Sequence, residues 1–331
     1  MPAAPLVIGT LFALAAGLMW GLVFIGPLLL PEYHATLQSF GRYLAFGLIA
    51  LPLAWFDRKA LAQLNRADWV EALKLALVGN IVYYLFLASS IQRAGGPLPT
   101  MIIGTLPVVI AITANLRPAR AGMRVEAPLP WLRMLPSLLL IGAGIALVNQ
   151  VELANLRADP AADLARYAVG ALLAVGAVVC WTWYPIRNAE WLRAHPGRSP
   201  RGWATAQGLA TLPLALAGYT LTWAWFALSA DPFAMPFGPR PLAFVGLMLA
   251  IGLLASWLGT LCWNEASQRL PPALVGQLIV FETLAALAYA FVLRGQAPQV
   301  QTLAGIVLLV AGVLWAVRTR PAEVSAGAHP N

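Results

Sequence analysis

The 331-residue chain is 60% hydrophobic, has a mean hydropathy of +0.75 and carries only 10% charged residues, where a soluble domain carries about 25%. That balance excludes an ordinary water-soluble globule and predicts a protein dissolved in lipid. The formal charge of +8 does not require nucleic acid, because a basic surface against an anionic leaflet accounts for it.

Crossing about 30 Å of hydrocarbon takes about 20 mostly apolar residues. Runs of that kind lie at 6–30, 36–56, 70–92, 98–116, 134–150, 166–187, 202–228, 241–264, 272–293 and 299–317. Even the longest connections, 117–133 and 151–165, are far too short to hold a soluble domain between spans. Helices are expected, since a lipid-exposed backbone must satisfy its own hydrogen bonds and the period-two alternation of barrel strands does not occur. Residues 1–5 hold no Lys or Arg and the first run is too long for a signal-peptide core, so it is read as a retained span.

In chain order, the first span contains Trp20 and no acidic residue. The second contains Arg42 near its outer end, where snorkelling, a bond to helix carbonyls or the binding of a carboxylate would each explain it. The third opens with Glu71 and Lys74 at i,i+3, an expected interfacial ion pair, and continues to Asn80, Tyr83 and Tyr84. Asn80 and Tyr83 share a helical face. Near the middle of the fourth span, Pro107 follows Thr105. It removes one intrahelical bond and frees the carbonyl about a turn earlier, that of Ile103; the result is either a ligand contact or a packing kink. The sixth span contains Trp181 and Tyr184, the eighth ends in Trp263-Asn264, and the ninth contains Gln277, Glu282 and Thr283.

Glu282 is the most informative of these. A charge at mid-membrane costs from a few to more than ten kcal/mol, and Glu282 lies ten residues into its span. It meets a substrate ammonium or a coupled proton, or else it is neutral and bonded to a neighbouring helix. Trp55, Trp69, Trp131, Trp191 and Trp203 lie near span ends and read as interface anchors. Trp20, Trp181, Trp183 and Trp263 lie deeper, lining a cavity or packing.

Neither the two Cys (180, 262) nor the three His (34, 195, 329) have metal-ligand spacing, and no nucleophile, base or nucleotide-binding motif is found. No enzyme activity, metal or cofactor is expected. If the N-terminus is cytoplasmic, fourteen Lys and Arg fall on the cytoplasmic side and five on the other, which places both termini in the cytoplasm.

The chain also repeats itself. GTLFALAAGLMW at 9–20 and GALLAVGAVVCW at 170–181 agree at five of twelve positions. Gln92-Arg93 returns as Gln268-Arg269, and Ala143-Gly144-Ile145 as Ala311-Gly312-Val313, in the same order. A five-helix unit has an odd number of crossings, so two copies lie in opposite orientations. The expected fold is all-α: ten transmembrane helices as two inverted repeats, 6–150 and 166–317, followed by a cytoplasmic tail, 318–331.

These residues resemble the ten-helix branch of the drug/metabolite transporter superfamily, with two EamA-type halves. The likeness is carried by the Gly-x10-Trp openings of the first and sixth spans, Arg42-Tyr43, Pro107 and the Ala-Gly pairs. Within the superfamily the chain is most similar to bacterial amino-acid exporters of the aromatic-amino-acid efflux type, through Tyr83, Trp181-Thr182-Trp183-Tyr184, Asn188, Trp263-Asn264 and Phe281. It departs from them at Gly295-Gln296, where the family often has Gly-Glu, and at Leu106, where such exporters can carry an aromatic residue. The resemblance implies an inner-membrane exporter of amino acids, broad in specificity, working by alternating access; whether aromatic ones are among them stays open. Its cavity is expected between the first, third, fourth, sixth, eighth and ninth spans, with Trp20, Asn80, Tyr83, Tyr84, Thr105, Pro107, Trp181, Tyr184, Trp263, Asn264, Gln277 and Glu282 as substrate-binding residues. The expected partners are a small-molecule substrate and the bilayer, not nucleic acid. Alternatives are a multidrug or quaternary-ammonium exporter of the same superfamily, a non-transporting membrane protein, or a membrane enzyme.

Overall fold

The computed structural model describes residues 3–116, 131–158, 163–229, 233–270, 278–295 and 297–318. Within them every regular element is helical. Apart from the short turns Leu22–Phe24, Gly26–Leu29 and Arg58–Leu61, in chain order these are α1 (Ala3–Gly21), α2 (Ala35–Phe56), α3 (Arg66–Ala94), α4 in two pieces (Pro97–Ile103 and Leu106–Leu116), α5 (Trp131–Ala158), α6 (Leu164–Ala194), α7 (Pro200–Leu228), α8 (Pro241–Arg269), α9 (Val280–Arg294) and α10 (Val300–Arg318). Among the described residues, six helices are long and apolar enough to cross a membrane: Leu6–Leu29, Ala35–Phe56, Arg66–Ala94, Leu164–Ala194, Pro200–Leu228 and Pro241–Arg269. Four shorter apolar helices, Pro97–Ile110, Leu135–Val151, Val280–Leu293 and Val300–Gly312, overlap the predicted fourth, fifth, ninth and tenth spans.

Helix starts follow local chemistry. Asn65 and Asp68 form a reciprocal capping box at the head of α3, with bonds of 2.9 and 3.0 Å. Asp163 caps α6 and Ser199 caps α7 ahead of Pro200. The expected break in the fourth span occurs at Gly104-Thr105, just ahead of Pro107.

The packing has a pattern. α1 lies against α8 and α9, whereas α6 lies against α3 and α4; α2 pairs with α7, and α5 with α10. The close approaches recur too. A Cβ on Gly9 would lie 2.7 Å from the Leu270 side chain, and one on Gly170 would lie 2.7 Å from Ala94. Between α5 and α10, Gly144 and Gly305 each face the other's carbonyl oxygen, at 2.5 and 2.8 Å from an added Cβ. Membrane helices associate through such small-residue contacts.

Two helices contain a π-helical segment, Ala76–Val82 in α3 and Gly252–Leu258 in α8. Their starts are separated along the chain by the same offset as Gln92 and Gln268. One extra residue per turn shifts the helical phase, so residues on either side of it point where an ideal helix would not send them.

Polar contacts join the first five helices to the last five at both ends of the bundle. At one end Arg187 bridges to Glu71 at 2.8 Å, Arg201 to Asp57 at 3.0 Å, and the Trp191 indole N–H donates to Asp68 at 2.9 Å. The expected Lys74–Glu71 pair is present at 3.9 Å, but Arg187 holds that carboxylate more closely. At the other end Arg240 Nε meets Glu32 Oε1 at 2.5 Å, and the Tyr33 hydroxyl donates to the Phe237 carbonyl at 2.9 Å. The Arg240 guanidinium holds the Glu32 carboxyl below its ordinary pKa. A group depressed in the folded protein contributes stability above its unfolded pKa and loses it as pH falls through the folded value. This clasp is therefore expected to be fully formed at neutral pH and lost in acid. Thermal melts of the parent and Arg240→Gln, followed from neutral pH into the acid range, should converge as pH falls; a gap that stays constant would contradict the assignment.

Candidate functional site

At the centre of the bundle lies a small cavity lined by Trp20 and Val23 from the first span, Arg42 and Tyr43 from α2, Asn80 and Tyr83 from α3, Trp181 from α6, Ala255, Ser256 and Thr260 from α8, and Glu282 from α9. Its free volume is about 10 Å³, roughly the room one water needs. Both π-helical segments reach it: Asn80 comes from the first, Ala255 and Ser256 from the second. Asn80 and Ser256 are themselves related by the Gln92-to-Gln268 offset, as are Tyr84 and Thr260.

One wall is aromatic. The Trp181 ring stacks on Tyr83 at 4.8 Å and on Tyr184 at 4.7 Å, and meets the edge of Trp20 at 5.3 Å. Trp263 lies 5.0 Å behind Trp20. The Trp20 indole N–H donates to the Ala255 carbonyl at 2.9 Å, a carbonyl inside the π-helical segment. The other wall is charged. Arg42 is 4% and Glu282 1% exposed. Glu282 occupies the first turn of α9, where the positive end of the helix dipole faces a carboxylate.

Buried polar atoms are nearly always hydrogen-bonded, so each exception requires a reason. Among the described residues, six buried side-chain polar atoms have no such partner, and four line this cavity: Arg42 Nη1, Tyr83 Oη, Trp181 Nε1 and Glu282 Oε2. The Arg42 guanidinium and the Trp181 indole share this cavity with the Glu282 carboxyl, yet neither closes a bond to Oε2. Unsatisfied polarity is thus concentrated where a ligand would sit.

Five of the expected site residues line the cavity: Trp20, Asn80, Tyr83, Trp181 and Glu282. Four others lie behind it. Tyr84 donates to the Val23 carbonyl at 3.0 Å, Tyr184 to Gln207 at 2.8 Å, Trp263 backs Trp20, and Asn264 accepts from Asn188 at 2.9 Å. Thr105 and Pro107 do not line it. Thr105 instead donates to the Ile102 carbonyl at 2.7 Å, and the neighbouring Gly104 abuts Thr283 and Leu309. Gln277 lies outside the described residues. Val23, Arg42, Tyr43, Ala255, Ser256 and Thr260 are lining residues absent from the expected set, and four of them are polar. The signals that could have found the polar ones are Arg42-Tyr43 in the sequence and the Gln92-to-Gln268 offset, which relates Ser256 to Asn80 and Thr260 to Tyr84.

The sequence profile of the EamA-like transporter family matches residues 7–118. Over 313 residues the chain is 55% identical to inner membrane protein YtfF of Escherichia coli (strain K12), covering 95% of this chain and 96% of the relative. The chain belongs to the EamA-like transporter family. A chain of known crystal structure shares its fold, with a TM-score of 0.63 at 17% identity, covering 93% of this chain and 96% of that one. As an EamA-like transporter of the drug/metabolite superfamily, the protein moves a small molecule through a lipid bilayer and is not an enzyme. It is a multi-pass protein of the inner membrane.

Proposed function

We propose that this transporter exports amino acids from the cytoplasm by alternating access through the cavity around Glu282. One observation carries the reading: a carboxylate 1% exposed, with Oε2 unpartnered, lines an aromatic-walled cavity among the helices. A carboxylate in the hydrocarbon region is expensive and marks a pathway or a partner, and an ammonium group is the cation every amino acid supplies. Aromatic and aliphatic walls make few demands on the rest of the ligand, which suits broad specificity. The same rings and carboxylate would suit a quaternary ammonium, but the Arg42 guanidinium in that cavity weighs against a purely cationic ligand.

The architecture in this reading is ten spans in two inverted five-helix repeats, 6–150 and 166–317, with residues 318–331 as a cytoplasmic tail. The mirrored packing of α1 on α8 and α9 and of α6 on α3 and α4, the paired π-helical segments, and the matching approaches at Gly9 and Gly170 support it. A cavity of about 10 Å³ is too small for an amino acid. Admission therefore requires the two halves to separate at one end while the polar contacts at the other hold.

The fourteen-to-five basic bias supports cytoplasmic termini. Reporters fused to each end are expected to be active only as cytoplasmic fusions, and an external C-terminus would contradict ten spans. For export itself, cells lacking the protein and fed dipeptides should retain more of at least one liberated amino acid. Equal retention of every amino acid tested would overturn the proposal.

A further inference from the structure

We infer that Arg42 is the carboxylate ligand of this cavity, so that the site takes a zwitterion, with Glu282 at the ammonium end and Arg42 Nη1 at the carboxylate end of one α-amino acid. The inference rests on the reading of the cavity as the transport site and names the chemical class that site selects.

Arg42 is held as a binding group is held. Its Nε donates to Ser256 Oγ at 3.0 Å. Its guanidinium carbon lies 4.7 Å from the Tyr43 ring centre and 4.5 Å from that of Tyr84. Tyr84 is fixed in turn by its bond to the Val23 carbonyl. Two rings and a hydroxyl thus fix the guanidinium while Nη1 remains without a partner. A planar, pre-positioned guanidinium is the side chain best matched to a carboxylate.

Snorkelling does not account for Arg42, which is 4% exposed. Nor is it the structural counter-ion of Glu282: neither is in an ion pair with any described residue, and both Nη1 and Oε2 stay open. A buried guanidinium and a buried carboxyl group share one cavity. A ligand carrying one charge would satisfy one of them and leave the other buried and unpaired, which is strongly unfavourable. A ligand carrying both charges satisfies the two together.

The test is equilibrium binding to the purified full-length protein, using phenylalanine, leucine and threonine, each compared with its amide (ammonium only) and its N-acetyl derivative (carboxylate only). The parent is expected to bind at least one amino acid about tenfold or more tighter than either derivative, the scale set by one charge-assisted hydrogen bond. Arg42→Gln should abolish the preference over the amide, with Arg42→Lys retaining part of it. Glu282→Gln should abolish the preference over the N-acetyl derivative. If the parent binds amide and amino acid equally, the role given to Arg42 is wrong while amine recognition by Glu282 stands. If no probe binds, the transport-site reading fails and this inference with it. Should Arg42→Gln not fold, the comparison of derivatives on the parent decides alone.

Discussion

Glu282→Gln is expected to lower transport per mole of folded protein by about tenfold or more, the loss of one charge-assisted hydrogen bond, while leaving yield and melting temperature near the parent's. The substitution keeps shape and hydrogen-bonding capacity and removes only charge and titration. Glu282 is 1% exposed and stands in the first turn of α9, so Gln fits the same space. If the carboxylate meets the substrate ammonium or a coupled proton, transport should also lose whatever pH dependence the parent has between about pH 5 and 8. Glu282→Ala cannot make this distinction, since it also deletes volume. A Gln variant that transports every tested amino acid at the parent rate across that range would make Glu282 a buried structural acid.

Trp20→Ala is expected to impair both transport and stability, and the comparison with Trp20→Phe separates the two. The indole is 4% exposed, packs on Trp181 and Trp263, and bonds to the Ala255 carbonyl in the π-helical segment. Truncating a buried Trp to Ala costs about 3 to 5 kcal/mol. Phe retains most of the wall but takes the indole N–H away from that carbonyl, which costs about 0.5 to 1.5 kcal/mol and loosens the segment presenting Ser256 to Arg42. Transport per mole of folded Trp20→Phe protein should therefore fall, and Trp20→Ala should fall further. Parent-like transport per folded molecule in both variants would reduce Trp20 to a packing residue.

Much of this architecture was legible in apolar run length, because the bilayer imposes one length scale on every crossing. The long helices begin and end close to where the runs do, and α4 breaks beside Pro107, where the missing N–H requires it. Depth was legible too: Trp20, Asn80, Tyr83, Trp181 and Glu282 were expected at the centre and line the cavity. Facing was harder to read. Tyr84, Tyr184, Trp263 and Asn264 lie at the right depth but behind the lining, since an apolar helix in lipid has little amphipathic signal to fix its rotation. The π-helical segments add a phase shift that a regular α-helical period does not anticipate, and Ser256 arrives through one of them. Arg42 illustrates the same limit. Its position near a span end fitted snorkelling as well as binding, and only Ser256, Tyr43 and Tyr84 around it show the guanidinium turned inward.

The central claim is that this protein carries amino acids across a bilayer, and counterflow in proteoliposomes tests it most directly. Vesicles containing the purified protein and loaded with a high concentration of one unlabelled amino acid are placed in a trace of the same amino acid, labelled. For at least one of the common amino acids, label should accumulate transiently above its equilibrium level in loaded vesicles, not in unloaded ones, and far less with Glu282→Gln. Label that never exceeds the level in protein-free vesicles, for every common amino acid, would contradict the account.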